Sequence, residues 1–268
     1  MNNFPPLILD PLNFLPLSKT PWGGTRISEF IKAAYFDKKR VRIGESWEVS
    51  CQENFKSRVT NFKNEFLDDL IAKYTKEILG INYLKKYPLF SFLLKILDTD
   101  DLLSVQVHPD IYDKNLNIGE SGKAECWYIL ETLPEAYIYM GLTEKPNFKK
   151  FIKTLNQSEN ILPFLNKISV KKGDFFYIPP GMIHCLGKGI TLLEPQFYVG
   201  GKSPVTYRLW DFDRRYSDNG QLETSGKLRE LHLKKGLLAI KKNLTLKKDP
   251  AVNEKSSKLL ENDYFNIL

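Results

Sequence analysis

The sequence predicts a mainly β protein, its short strands rolled into a sandwich or barrel with small helical insertions. Three observations carry this reading. Between residues 88 and 140, and again from 168 to 213, apolar segments four to ten residues long are separated by polar turns. Pro and Gly together number 31 in 268 residues, which supplies those turns. Only three stretches, 65–87, 144–166 and 229–242, show helical spacing.

Along the chain, residues 1–24 are punctuated by Pro and Gly and read as extended, ending in "TPWGG". "VRIGESWEVS" (41–50) reads as a pair of strands broken at Gly44. In 65–87 the residues Leu67, Leu70, Ile71, Tyr74, Ile78 and Leu79 form one apolar helical stripe. "FSFLLKIL", "LLSVQV", "ECWYIL" and "AYIYMG" follow as strands. Residues 144–166 read as one or two short helices around Phe148, Phe151, Ile152, Leu155 and Leu162. Strand signals return in "ISVKKGDFFYIPPG", "GITLLEPQFYV" and "VTYRLWDFD", and 229–242 reads as an amphipathic helix carrying His232 on a structural face. Residues 1–250 are thus expected to form one domain. Residues 251–268 look like the start of a C-terminal β domain that the chain leaves unfinished.

Composition narrows the function. No apolar run approaches the roughly 20 residues of a membrane span, because "YPLFSFLLKIL" is interrupted by Lys95. The N-terminus lacks a basic leader, and Cys51, Cys126 and Cys185 form no C-x-x-C pair, which fits a reducing cytoplasm. The formal charge of +7 is spread over short basic pairs with no arm or stripe, so a solvated surface is expected rather than a nucleic-acid site. A mild positive field would attract a small anionic substrate. Monomer and homodimer are both compatible with these properties. "GESGKA" (119–124) lacks phosphate-loop spacing, with Asn117 at the first Gly position and Ala124 at the Ser/Thr position.

The chemistry concentrates in two stretches. In "LLSVQVHPDIY" (102–112), Leu103, Val105 and Val107 alternate with Ser104, Gln106 and His108, so one strand face is polar in an unusual way. In "GDFFYIPPGMIHCLGKG" (173–189), a strand ends at Pro179-Pro180, Gly181 permits a tight turn, and His184 opens the next strand. This G-x5-P-x-G-x2-H spacing resembles the second motif of the cupin superfamily, although Lys188 stands where that motif usually has Asn. A cupin-type, jelly-roll barrel would let Gln106, His108 and His184 converge with Glu125 of "KAECWYIL". Imidazole, amide and carboxylate donors without thiolate suit one Zn²⁺ per chain, and would accept Mn²⁺, Fe²⁺ or Co²⁺. Alternation turns Cys126 and Cys185 to the opposite faces.

With "SVQVHPD", "GKAECWYIL", "IPPGMIHCLGKG", "LLEPQ" and "TYRLWDFDR" in this order, the chain resembles the type I mannose-6-phosphate isomerases in their short bacterial form. The resemblance runs from "TPWGG" and "GESWEVS" through "GKLRELHLKKGL". It implies a zinc-dependent interconversion of mannose 6-phosphate and fructose 6-phosphate, with Gln106, His108, Glu125 and His184 as metal ligands. It also implies Lys123, Glu194 and Arg208 as active-site residues, with Glu194 or Lys123 as the proton shuttle. The link "FYVGGKSPV" is longer than is usual in that family and carries Pro204 where Asp is common, which suggests Lys202 as a phosphate contact. The alternative reading is a non-catalytic cupin that binds a sugar phosphate or metal as a sensor or structural module. A different cupin enzyme, such as a dioxygenase, fits less well, because Gln106 replaces the first His of the usual H-x-H pair.

Overall fold

A computed structural model describes residues 4–242 except 38 and 145, residue 244, and the short segments 260–261 and 266–267. Ten antiparallel strands build two five-stranded sheets: β1 (Glu45–Val49), β2 (Phe92–Thr99), β3 (Val105–Val107), β4 (Lys123–Thr132), β5 (Tyr137–Leu142), β6 (Leu165–Ser169), β7 (Phe175–Ile178), β8 (His184–Leu186), β9 (Ile190–Tyr198) and β10 (Tyr207–Trp210). One sheet runs β1-β2-β9-β4-β7 and the other β10-β3-β8-β5-β6. This is the expected jelly-roll arrangement.

Trp127, Ile129 and Leu192 of the first sheet meet Ile138, Met140 and Leu186 of the second in one buried cluster. Burying such side chains stabilises the pairing of the sheets by about 1.5–3 kcal/mol each. The inward faces of β4 and β9 grade from apolar to polar along their length. Leu192 lies opposite Ile129 near one end, and Gln196 lies opposite Glu125 near the other. The apolar end fills the barrel and leaves the polar end to form its mouth.

The helical insertions are shorter than their sequence patterns suggest. The stripe at 65–87 divides into α1 (Leu67–Lys73), α2 (Thr75–Leu79) and α3 (Ile81–Lys86), with Glu65–Phe66 instead pairing as a strand with Arg58–Val59. Tyr74 leaves helical geometry at φ −126°, and Gly80 takes φ +77°, a left-handed value that stops helix propagation. In 144–166 there is one α-helix, α4 (Phe148–Asn156), whose Asn147 side chain accepts from the Lys150 N–H, followed by a 3₁₀ turn at Leu162–Phe164. Of 229–242, only α5 (Leu233–Ala239) is helical, and His232 stands at its N-terminal boundary rather than within it. Tertiary hydrogen bonds override the helical pattern at both ends. The His232 N–H donates to the Arg208 carbonyl (2.7 Å) and the Lys241 N–H to the Gly181 carbonyl (3.0 Å). Likewise 41–50 yields the single strand β1, because Ile43 makes only an isolated bridge with Gly24. The proposed boundary at 250 and most of 251–268 lie outside the described residues; Leu260–Glu261 pairs antiparallel with Asn266–Ile267.

Candidate metal centre

β3, β4 and β8 aim four polar side chains at one point inside the barrel mouth. On the second sheet, Gln106 of β3 lies directly opposite His184 of β8, and His108 follows β3 immediately. The turn that delivers His184 depends on Gly181 at φ +88°, and its N–H donates to the His108 carbonyl (2.8 Å), tying the two histidine segments together. On the facing sheet, Glu125 projects inward from β4. Cys126 turns outward to pack with Ala124 and Phe175, and Cys185 donates its thiol to the Leu103 carbonyl.

The geometry leaves acceptors facing acceptors. His184 Nδ1 lies 2.8 Å from the Met182 carbonyl, which assigns the proton to Nδ1 and leaves a lone pair on Nε2. That Nε2 stands 3.5 Å from Glu125 Oε1, and His108 Nε2 stands 3.3 Å from Glu125 Oε2. Neither ring nitrogen of His108 makes a hydrogen bond, nor does Glu125 Oε1, although all are buried. Burial pushes His108 down to about 3, with Lys123 adding to the effect, and burial lowers His184 too, so both are neutral ligands-in-waiting. Burial works against ionising Glu125, yet the Lys123 ammonium 3.1 Å away and the two histidines hold its carboxyl well below the usual range.

A cation between these groups would take the His184 Nε2 and His108 Nε2 lone pairs and the Glu125 charge together. In tetrahedral coordination with bonds of about 2.0–2.2 Å, neighbouring donor atoms lie roughly 3.3–3.6 Å apart. The two His–Glu separations, one to each oxygen of the Glu125 carboxylate, fall in that range, and one donor atom from each of the three residues lies within 4.8 Å of the other two. The Gln106 amide stands 3.2 Å from His184 Nε2, and turning it over puts its oxygen in the same place as a fourth donor. The residues therefore fit a divalent transition metal with nitrogen and oxygen ligands.

A cavity of about 140 Å³ opens beside this point, and Gln106, Lys123, Glu194 and Arg208 all line it. Arg208 donates through Nη1 to the Glu230 carbonyl (2.8 Å), while its Nε is buried without a partner. Burial, aided by the neighbouring Arg229, lowers its guanidinium only to about 10, so it remains a cation at neutral pH. Glu194 is pushed up to about 7, chiefly by burial and then by the charge of Glu125. It accepts from Trp127 Nε1 (3.0 Å) and lies 3.4 Å from Lys95 Nζ.

Several participants escaped the sequence reading. Lys95, which had only served to interrupt an apolar run, lines the cavity and bridges Glu194 and Glu45, the latter at 3.1 Å. Burial opposes its charge, but those two carboxylates raise the ammonium above its ordinary value. Ser104, Lys19 and Arg229 also line the cavity, and Gln196 lies just behind it. Ser104 and Gln196 were legible by alternation, since each shares a strand face with a chosen residue. Lys202 is a correction. It lines a separate cavity of about 390 Å³ beside α1 and α2, because its loop folds back so that Gln52 donates to the Lys202 carbonyl (3.2 Å). His232 lies outside the metal cluster, where its Nδ1 accepts from the Arg208 N–H (3.2 Å).

Comparison with known proteins agrees with this geometry. Residues 16–131 match the family model described as phosphomannose isomerase type I, catalytic domain. The chain is 38% identical over 237 residues to the mannose-6-phosphate isomerase ManA of Bacillus subtilis, an overlap covering 86% of this chain and 68% of that relative. The crystal structure of the mannose 6-phosphate isomerase from Bacillus subtilis superimposes with a TM-score of 0.77 at 29% identity, covering 97% of this chain and 78% of that one. A zinc-bound mannose 6-phosphate isomerase shares the fold at a TM-score of 0.61 and 14% identity, covering 89% and 74%. With 38% identity extending over two thirds of the ManA relative, and with that fold, the chain belongs to the type I phosphomannose isomerase family.

Proposed function

We propose that this protein is a metal-dependent aldose–ketose isomerase that interconverts mannose 6-phosphate and fructose 6-phosphate, with Gln106, His108, Glu125 and His184 holding one zinc ion. The carrying observation is that the His184 Nε2 lone pair stands 3.5 Å from one oxygen of the buried Glu125 carboxylate and His108 Nε2 stands 3.3 Å from the other, with both His108 nitrogens and Glu125 Oε1 buried and without a hydrogen bond. A bound divalent cation supplies Lewis-acid stabilisation of negative charge on the sugar oxygens. The chain's own residues do the rest.

The reaction moves two protons, one from C2 to C1 and one from O2 to O1. The C2 hydrogen of mannose 6-phosphate leaves as a proton, the C2–H electron pair forms the C1=C2 bond, and the C1=O π pair moves onto O1, giving an enediolate. Proton return at C1 by the same carrier, with the O2 proton passing to O1, leaves a hydroxyl on C1 and the ketone at C2. Glu194 is the proton carrier, since it lines the cavity and its carboxyl titrates at about 7, a value suited to accepting and returning a proton near neutrality. Lys123 is paired with Glu125 at 3.1 Å and serves as a fixed cation. Arg208 offers the unused Nε–H to the enediolate or the phosphate.

A coupled assay on mannose 6-phosphate, with and without EDTA, tests the reading. EDTA should abolish turnover and Zn²⁺ restore it, with a loss of roughly 10³-fold or more in rate for the metal-free protein. His184→Ala should stay inactive at any zinc concentration. Full turnover by verified metal-free protein would overturn the mechanism. Zinc binding without turnover would leave the non-catalytic alternative.

A further inference from the structure

Gln196 occupies a position that the mechanism above does not use. It is almost fully buried on β9, two residues from Glu194 on the same strand face, and directly opposite Glu125 on β4. Its amide nitrogen donates to Glu125 Oε2 (3.0 Å) and to Glu194 Oε1 (2.6 Å). Both amide hydrogens therefore go to carboxylates, one a candidate metal ligand and the other the candidate proton carrier.

The amide cannot be turned over at this site. Its oxygen would then meet the Glu125 carboxylate, and the Glu194 carboxylate whenever that is ionised, acceptor against acceptor. The orientation is thus set by the two acids, even though the Gln196 oxygen is left buried without a partner. An unsatisfied buried acceptor costs free energy, and a purely packing role would be filled better by Leu or Met. Asparagine is one methylene shorter and a carboxylate would add a third negative charge. Glutamine is the uncharged double donor that spans this gap.

We propose that Gln196 is a positioning residue that couples the metal centre to the proton carrier, holding Glu125 oriented toward the metal and Glu194 oriented toward the sugar. This rests on the isomerase reading for its Glu194 half and on the metal reading alone for its Glu125 half. The outer hydrogen bond to a ligating carboxylate fixes which oxygen lone pairs face the metal. The hydrogen bond to Glu194 fixes where the carboxylate stands relative to C1 and C2, and misplacement by a fraction of an ångström lowers the rate without weakening substrate binding.

The test uses the full chain with Gln196→Leu, and Gln196→Met as the second variant should Leu disturb packing, with near-UV circular dichroism checking the fold. Zinc affinity of the metal-free protein is measured by competition with a chromophoric chelator. Kinetics on mannose 6-phosphate are measured at saturating zinc. The expected result is a zinc Kd weakened roughly 10- to 100-fold. With it, kcat should fall by about tenfold or more while KM stays within about twofold. A Kd and kcat both within about twofold of the unmodified chain overturn the proposal. A weakened Kd with unchanged kcat overturns the link to Glu194. If the unmodified, zinc-loaded chain fails to turn over mannose 6-phosphate, the isomerase reading has failed, and the chelator competition still decides whether Gln196 orients Glu125.

Discussion

Asp211 illustrates how one buried residue can govern the cavity from behind. Arg229, which lines the cavity, is gripped by Asp211 through two hydrogen bonds of 2.7 and 2.6 Å, and Arg214 adds a third at 2.8 Å. A bidentate fork of this kind holds a guanidinium in one orientation. Burial works against the Asp211 charge, but the two arginines hold its carboxyl below the ordinary value of 3.8. The sign of its contribution to stability follows. The unfolded chain binds the Asp211 proton first as pH falls, so this stabilisation is complete above pH 3.8 and disappears as pH drops through the lowered folded-state value. Asp211→Asn should cost about 3 kcal/mol at neutral pH, because it leaves the Arg229 guanidinium facing no anion and Arg214 with Asp101 alone. It should also flatten the acid limb of the stability curve below pH 3.8. Urea unfolding between about pH 3 and 7 measures both, and an unchanged acid limb would remove Asp211 from this role.

At the scale of elements, the Pro179-Pro180-Gly181 turn joins the catalytic strands more than any helix does. Its glycine has a positive φ, and an added Cβ would lie 3.0 Å from the Ala239 carbonyl and 2.6 Å from the Lys241 side chain. Gly181→Ala should therefore destabilise by about 2 kcal/mol and weaken zinc binding, since the turn holds the His108 carbonyl. Gly80→Ala is the matched control. Its φ is also positive, with ψ at 153°, but a Cβ there would meet nothing within 4 Å, so it should cost about 1–3 kcal/mol in backbone strain alone and leave zinc affinity unchanged. Thermal unfolding with and without zinc separates the two; equal zinc affinities would show the turn to be scaffolding only. The same comparison explains what was legible in the sequence. Most strands and the P-P-G turn follow from local chemistry, period-two alternation and a required left-handed residue, and they appear where expected, the pair read in 41–50 excepted. The helix at 229–242 is shorter than read, because hydrogen bonds from His232 to a distant strand and from Lys241 to the P-P-G turn cut short a pattern that looks continuous along the chain. Glu45 and Lys95 were hidden for a related reason. Each reads as an ordinary strand charge until β1 and β2 pair and set Trp47 and Glu194 beside them.

Over the whole molecule, the scattered excess of +7 resolves into a local field. The cavity is lined by Lys19, Lys95, Lys123, Arg208 and Arg229 against two carboxylates, Glu45 and Glu194, before any metal is counted. Lys95 is spent on those carboxylates, Lys123 on Glu125 and Arg229 on Asp211, which leaves Lys19 and Arg208 as the lining cations without a carboxylate partner. A doubly charged phosphate group is the natural complement of that set. Its attraction acts over distances comparable with the screening length, about 20 Å at 0.02 M salt and about 7 Å at 0.2 M. Raising salt across that range should therefore increase KM for mannose 6-phosphate several-fold while kcat stays nearly constant, because screening weakens the long-range attraction that brings the phosphate in and not the short-range proton transfer. Unphosphorylated mannose lacks the group that this field attracts, so any turnover of it should show a KM insensitive to salt. A salt effect confined to kcat, or an equal effect on both sugars, would place the phosphate away from Lys19 and Arg208 and return the binding problem to the metal alone.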